Sequence, residues 1–369
     1  MGIFILIVPL GDRPCPSRPN MYPLLQSWLR FMPLPHVLKV VLATSLALVS
    51  GFSAAQDPLL AVGAKPVAFS SQLQNGDRID KIRILGMLEL PSFKVNGLRF
   101  AEFSDLAWDD DDGILYAVSD QGGLFGLKPV FTNNYLTDVK LLKAVALREP
   151  GSGKPLRWTR TDAEGMDILK GRNGRKHDAE LVISFEREPR ILRYGTDGNA
   201  RGPYPLPPPL DAVRNFHGPN KALEAVCHDP DLGILTAPEF PLHPERAGHT
   251  RIFDVTGKWW YYPTNPNHGI VSMKCIGHGQ VLILERDYIS TLAHTTITLK
   301  KTYLAAKLAP GSTLRSETLV RLDDTDGLSL DNFEGLTHHR GHRYFMVSDN
   351  NDVFVQRTLL LYFEILDAK

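Results

Sequence analysis

Residues 331–352 read DNFEGLTHHRGHRYFMVSDNND and decide the fold. An acidic turn leads into a Glu-Gly pair and a short apolar strand. A polar turn follows, then the apolar run 344–347, which ends in Ser348-Asp349. The same pattern occurs at 103–122 (FSDLAWDDDDGILYAVSDQG) and at 222–240 (ALEAVCHDPDLGILTAPEF). It occurs with a longer turn at 162–188 (DAEGMDILKGRNGRKHDAELVISFERE) and in a weaker form at 269–288 (GIVSMKCIGHGQVLILERDY).

The pairs Asp105 and Asp120, Glu224 and Glu239, and Glu334 and Asp349 share one identical spacing. Glu164 and Glu186 stand further apart, the excess being the basic insert 172–177. In the weaker copy Ser272 takes the leading place and Glu285 closes slightly sooner. Leading positions thus fall at Asp105, Glu164, Glu224, Ser272 and Glu334, at nearly regular intervals. A repeat of this period, built of short strands and tight turns, predicts the blades of an all-β propeller.

The rest of the chain fits that reading. Its 369 residues are 43% hydrophobic and 22% charged, with 30 glycines and 27 prolines to supply turns. The net charge is zero, which gives no electrostatic case for a nucleic-acid partner or an anionic membrane. Residues 79–90 alternate as a strand, and 358–366 are strand-like too. These two are expected to share one closing blade. Five copies plus that blade favour six blades, with five or seven as alternatives. Further outer strands are expected at 139–147, 190–194, 292–299 and 314–322, and as a hairpin at 251–255 and 258–262. Residues 202–220, rich in proline, read as a surface loop, and 56–78 as a loosely ordered arm before a propeller domain at 79–369.

Residues 1–55 differ. The apolar run 37–50 ends in Gly-Phe-Ser-Ala-Ala-Gln, which suits cleavage after Ala55. A signal peptide, and hence a periplasmic or secreted protein, is expected, with Met21 or Met32 as alternative starts. Cleavage removes Arg13, Arg18, Arg30, Lys39 and Asp12 from totals of 41 basic and 41 acidic residues, leaving 37 and 40, a charge of −3. No membrane partner is expected after cleavage, and a monomer is. Cys227 and Cys275 remain, in the same register of neighbouring copies. Adjacent inner strands would permit a disulfide in an oxidising compartment, but two buried thiols are the favoured reading.

Equivalent positions of successive blades gather around one axis. The leading acids Asp105, Glu164, Glu224 and Glu334 and the closing acids Asp120, Glu186, Glu239, Glu285 and Asp349 should therefore crowd one rim. Unpaired, they would repel strongly. Calcium or another hard cation would relieve this, as would arginines such as Arg187, Arg190 and Arg286. Each acid taken singly has the plainer reading of a turn cap or blade-to-blade tie. His338 and His339 follow the last leading acid and are candidates for acid–base work or phosphate contact. Lys221 precedes Glu224. The run 109–112 reads as an exposed acidic turn, and 259–262 (WWYY) as outer-strand packing. No phosphate-cradling loop or dinucleotide fingerprint is present.

At these residues the chain resembles the bacterial phytase-like family, described by the esterase-like activity of phytase. The resembling segments are 104–120, 162–165 with 184–186, 222–239, 282–286 and 331–351, with DNFEG and VSDNN the most specific. The resemblance implies a secreted propeller with calcium-dependent phosphoester or ester hydrolase activity.

Three functions follow as expectations. The first is a calcium-assisted phosphoesterase acting on a small-molecule phosphoester. Glu164, Glu224, Glu334 and Asp349 would be the first metal ligands, the three glutamates would serve the reaction with His338, and Arg187, Arg286 and Lys221 would hold the substrate. The second is a metal-assisted carboxylesterase or lactonase on the same rim. The third is a non-catalytic binding propeller with structural calcium.

Overall fold

The computed structural model describes residues 59–366 except 246–247, 289–293 and 305–306. The expected leader lies outside the described residues. The unit from Asp57 onward is all β and holds five antiparallel sheets arranged as blades.

Each blade begins with an inner strand. These are Phe103–Asp109, Ala163–Leu169, Ala225–Asp229, Gly269–Gly277 and Asn332–His338. Each inner strand contacts the next, and the fifth contacts the first, so the ring closes. Second strands follow at Ile114–Ser119, Glu180–Phe185, Gly233–Ala237, Gln280–Tyr288 and Arg343–Asp349. The first four blades complete themselves from consecutive segments.

The fifth copy supplies only three strands, the last being Thr358–Ile365. Ile82–Leu90 pairs with that strand as the fourth. The N-terminal strand therefore closes the blade of the last copy and adds none of its own, which corrects the favoured count from six to five. The residues assigned to a loose arm are also docked. Leu60–Ala61 extends the first sheet, Lys65–Pro66 and Arg78–Ile79 extend the fifth, and Val62 and Phe69 are buried.

The second strands explain the apolar runs. Ile114–Ser119 is buried at every residue, because both faces of a blade lie against neighbouring blades. One apolar cluster fills each blade-to-blade interface. Phe103, Phe125, Phe345 and Leu360 meet between the fifth and first blades, and Cys227, Ile252, Met273 and Ile283 between the third and fourth. Cys227 and Cys275 are joined as a disulfide, so the favoured free-thiol reading is corrected. The expected hairpin forms as His249–Asp254 and Trp259–Pro263, with Trp260 and Tyr262 buried. The proline-rich loop is only partly a surface feature, since Leu210 and Phe216 are buried.

The Glu-Gly signature has a steric cause. A Cβ on Gly165 would stand 2.7 Å from the Val226 amide nitrogen and 2.9 Å from Ala225 Cα. One on Gly335 would stand 2.8 Å from Asp105 Cα. Each glycine is where an inner strand meets the backbone of the next blade.

Candidate functional site

Backbone pairing fixes which residues are equivalent. Phe103 faces Ser119, Ala163 faces Phe185, Phe333 faces Ser348 and Ile270 faces Glu285. A bulge follows each of these pairs. The residue after the first member is Ser104, Glu164, Glu334 or Val271, and Glu224 takes this place in the third blade, where Ala222 accepts the Glu239 amide as Asp162 accepts that of Glu186. The residue after the second member is Asp120, Glu186, Asp349 or Arg286, and Glu239 in the third blade. Three leading and four closing carboxylates thus lie at one mouth of the axis, with Arg286 in the fourth blade.

Two nominated acids are placed elsewhere by a slip of one residue, which turns a strand side chain to the other face. Asp105 is fully buried and its carboxylate accepts from the amides of Leu106 at 2.8 Å, Met166 at 2.8 Å and Leu336 at 2.9 Å, and from Ser272 Oγ at 3.3 Å. It ties four inner strands to one another. Burial pushes its pKa up to about 8. Glu285 points to the outer strands, where it meets Tyr262 Oη at 2.5 Å, the Asn265 amide at 3.0 Å and Lys300 Nζ at 2.8 Å.

The remaining acids act on one another. Glu164 is held well above the usual carboxylate range by burial and then by Glu224, Glu186, Asp162 and Glu334. Glu224 is raised in the same way by burial, Glu239, Glu186 and Glu334. Burial leads again at Glu186, at about 8, and at Asp120, at about 7. Asp349 is raised by burial, Glu334 and Asp120. Glu186 is among the carboxylates that raise Glu224, so the two oppose each other's ionisation.

Arg286 is the buried counter-charge. Its guanidinium donates to Glu334, reaches Asn332 Oδ1 at 2.6 Å and lies 3.6 Å from Glu239. Burial lowers its pKa, but Glu334, Glu239 and Glu224 together raise it above the ordinary value. Two rim cations stand further out. Arg187 meets Asp162 at 2.8 Å and lies 5.4 Å from the exposed Trp158 ring, and Lys221 meets Glu239 at 2.7 Å. The structure thus brings Arg187, Arg286 and Lys221 to the acids.

His338 is not there. It ends the fifth inner strand, at the far mouth of the axis, with Nε2 2.8 Å from the Gly341 carbonyl. His339 packs on Trp108 and meets Tyr362 Oη at 2.8 Å. The acidic run 109–112 is engaged by the second blade's basic insert. Asp111 accepts from the amides of Asn173 and Gly174, Asp112 from that of His177, and Asp110 faces Arg172 at 3.5 Å.

Asp162 was not nominated, yet its carboxylate, with those of Glu164 and Glu186, offers oxygens all within 4.8 Å of one another. Part of the signal was present: the residue two before the leading acid is Asp162 or Asn332 in two of the copies, and Glu102 takes that place only once Ser104 replaces Asp105. An oxygen-only, strongly anionic donor set of this kind fits a hard divalent cation.

Comparison with solved structures finds chains of low identity. One, described as "Structure of Dos1 propeller", is 8% identical, with 76% of this chain and 74% of that chain covered and a TM-score of 0.33. Another, "Structure of U3-55K", is 9% identical, with 73% and 77% covered and a TM-score of 0.32. No curated protein sequence matches the chain. The phytase-like family, described as "Esterase-like activity of phytase", matches residues 98–352, the span that carries all five inner strands and the acid ring. The chain belongs to the phytase-like family.

Proposed function

We propose that the acid ring is the active site of a calcium-assisted ester hydrolase, with a phosphoester as substrate. The observation that carries this is the convergence of Asp162, Glu164 and Glu186 beside Arg187. These three carboxylates would hold the cation. When bound, it supplies charge neutralisation at the substrate oxygen and a more acidic water. Arg187 and Lys221, both partly exposed, donate N–H groups to the anionic end of the substrate. Arg286 is spent on Glu334 and Asn332 and acts by positioning the ring. A proton held on Glu186 or Glu224, whose carboxyls burial and neighbouring acids keep above the usual range, would be available to the departing oxygen. The disulfide supports an oxidising, extracytoplasmic location.

A carboxylic ester or lactone is the second reading, and charge favours it at one point. Arg187, Lys221 and Arg286 each already face a carboxylate, so the rim offers little excess positive charge for a polyphosphorylated substrate. Parallel assays on a generic phosphomonoester and a generic carboxylic ester separate the two. We expect Glu164→Gln to lower turnover of the accepted ester by about 100-fold or more. Inorganic phosphate should inhibit a phosphoesterase and leave a lactonase unaffected. Unchanged turnover in Glu164→Gln would remove the ring from the mechanism.

A further inference from the structure

The inner strands begin at the acid ring and end at a second mouth of opposite character. There a cleft of about 380 Å³ is formed by the ends of all five, with Trp108, Asp167, His228, Lys274 and His338 contributing one apiece. Lys170 and Arg172, just past the second inner strand, line it too. We propose that this cleft is a binding site for a small oxyanion, the phosphate or carboxylate group of a small molecule, separate from the acid ring and independent of the function assigned to it.

The charge balance points this way. Asp167 is the lining carboxylate, and it is already occupied. It accepts Lys274 and the Ile168 amide on one oxygen and the His228 amide, at 2.7 Å, on the other. Lys274 is buried, with its side chain 8% exposed. An ammonium has three N–H donors, and Asp167 accepts one. Arg172 lies half exposed at the lip, donating one Nη to the His339 carbonyl at 2.7 Å while its Nε faces Asp110 at 3.5 Å. Lys170 faces Glu180, outside the cleft. The His228 ring has no hydrogen-bond partner among the described residues.

The cations converge. Burial lowers the pKa of His338, and Arg172 and Lys274 lower it further against its bond to Gly341, so both fields meet at that ring. An oxyanion between Lys274, Arg172 and His228 would give the buried ammonium the acceptors that Asp167 does not. The size suits a small ligand.

The test is nuclear magnetic resonance of the histidine rings of the full chain. It is run in chelator, so that a cation in the acid ring plays no part, with inorganic phosphate and succinate as probes and sodium chloride as the ionic-strength control. We expect the His228 and His338 signals to move saturably with at least one probe, and Arg172→Gln to weaken that binding about tenfold. Lys274→Gln should weaken it further, but it strands Asp167, so the lip variant carries the test. Phosphate alone, or succinate alone, moving the rings names the source. No movement with either probe up to about 20 mM, a range that would detect Kd values near 1 mM, overturns the proposal. So does movement that Arg172→Gln leaves unchanged.

Discussion

At the scale of the residue, acids that look alike in sequence do opposite work. Asp105 is consumed by amides from its own strand and two neighbours, so its loss leaves buried donors without an acceptor. Glu224 faces other carboxylates, so its charge is a cost until a cation arrives. Asp105→Ala should therefore destabilise the fold by about 2 kcal/mol or more, with or without calcium. Glu224→Gln should raise the melting temperature of the calcium-free protein and shrink the further rise that calcium gives. Thermal melts of both variants, with chelator and with calcium, check this. Equal behaviour of the two would mean that they share one role. The sequence could not separate them, because the same count back from Asp120 and from Glu239 crosses turns of different length. Only the ladder shows that Ser104, not Asp105, is the partner of Glu164. The same slip gave Glu285 the closing place that Arg286 takes.

At the scale of the element, the blades were legible because both faces of each second strand are buried, which leaves continuous apolar runs such as ILYAV and YFMV. The repeat of acid and glycine was legible because the inner strands approach too closely for a side chain at Gly165 and Gly335. The blade count was not, since sequence shows that two terminal strands pair but not which copy lacks its own fourth strand. The closure has a consequence. Ile82–Leu90 completes a sheet whose blade-forming strands otherwise come from the far end of the chain, Asn332–His338, Arg343–Asp349 and Thr358–Ile365. Removing it should abolish cooperative unfolding in a thermal melt and not merely lower the midpoint. The disulfide joins the third and fourth inner strands across a sequence separation of 48. Replacing both cysteines by alanine should cost about 3 kcal/mol in a denaturant titration. A negligible change would mean the interface cluster alone fixes those strands.

At the scale of the whole molecule, charge is layered along the axis. Carboxylates fill one mouth, Asp105 and Asp167 tie strands within, and Lys274, Arg172 and the histidines line the other mouth. The acid layer sets a pH dependence. Asp120 and Glu186 have folded pKa values of about 7 and 8, above their unfolded values, so the folded chain binds more protons between about pH 4 and pH 8. Stability therefore falls as pH rises through that window. Without calcium the melting temperature at pH 8 should lie at least about 5 °C below that at pH 5, and calcium should recover most of the loss. A calcium-free melting temperature that rises with pH across this range would contradict the layered picture.

The acid ring is proposed to hold a cation and to turn over an ester there. The most direct measurement is the initial rate of hydrolysis of a phosphomonoester and a carboxylic ester by chelator-treated protein as calcium is added back. The rate should be negligible in chelator and rise saturably with calcium for at least one ester, with the rise lost in Glu164→Gln. Hydrolysis that persists undiminished in chelator, or no turnover of either ester at saturating calcium, would contradict it.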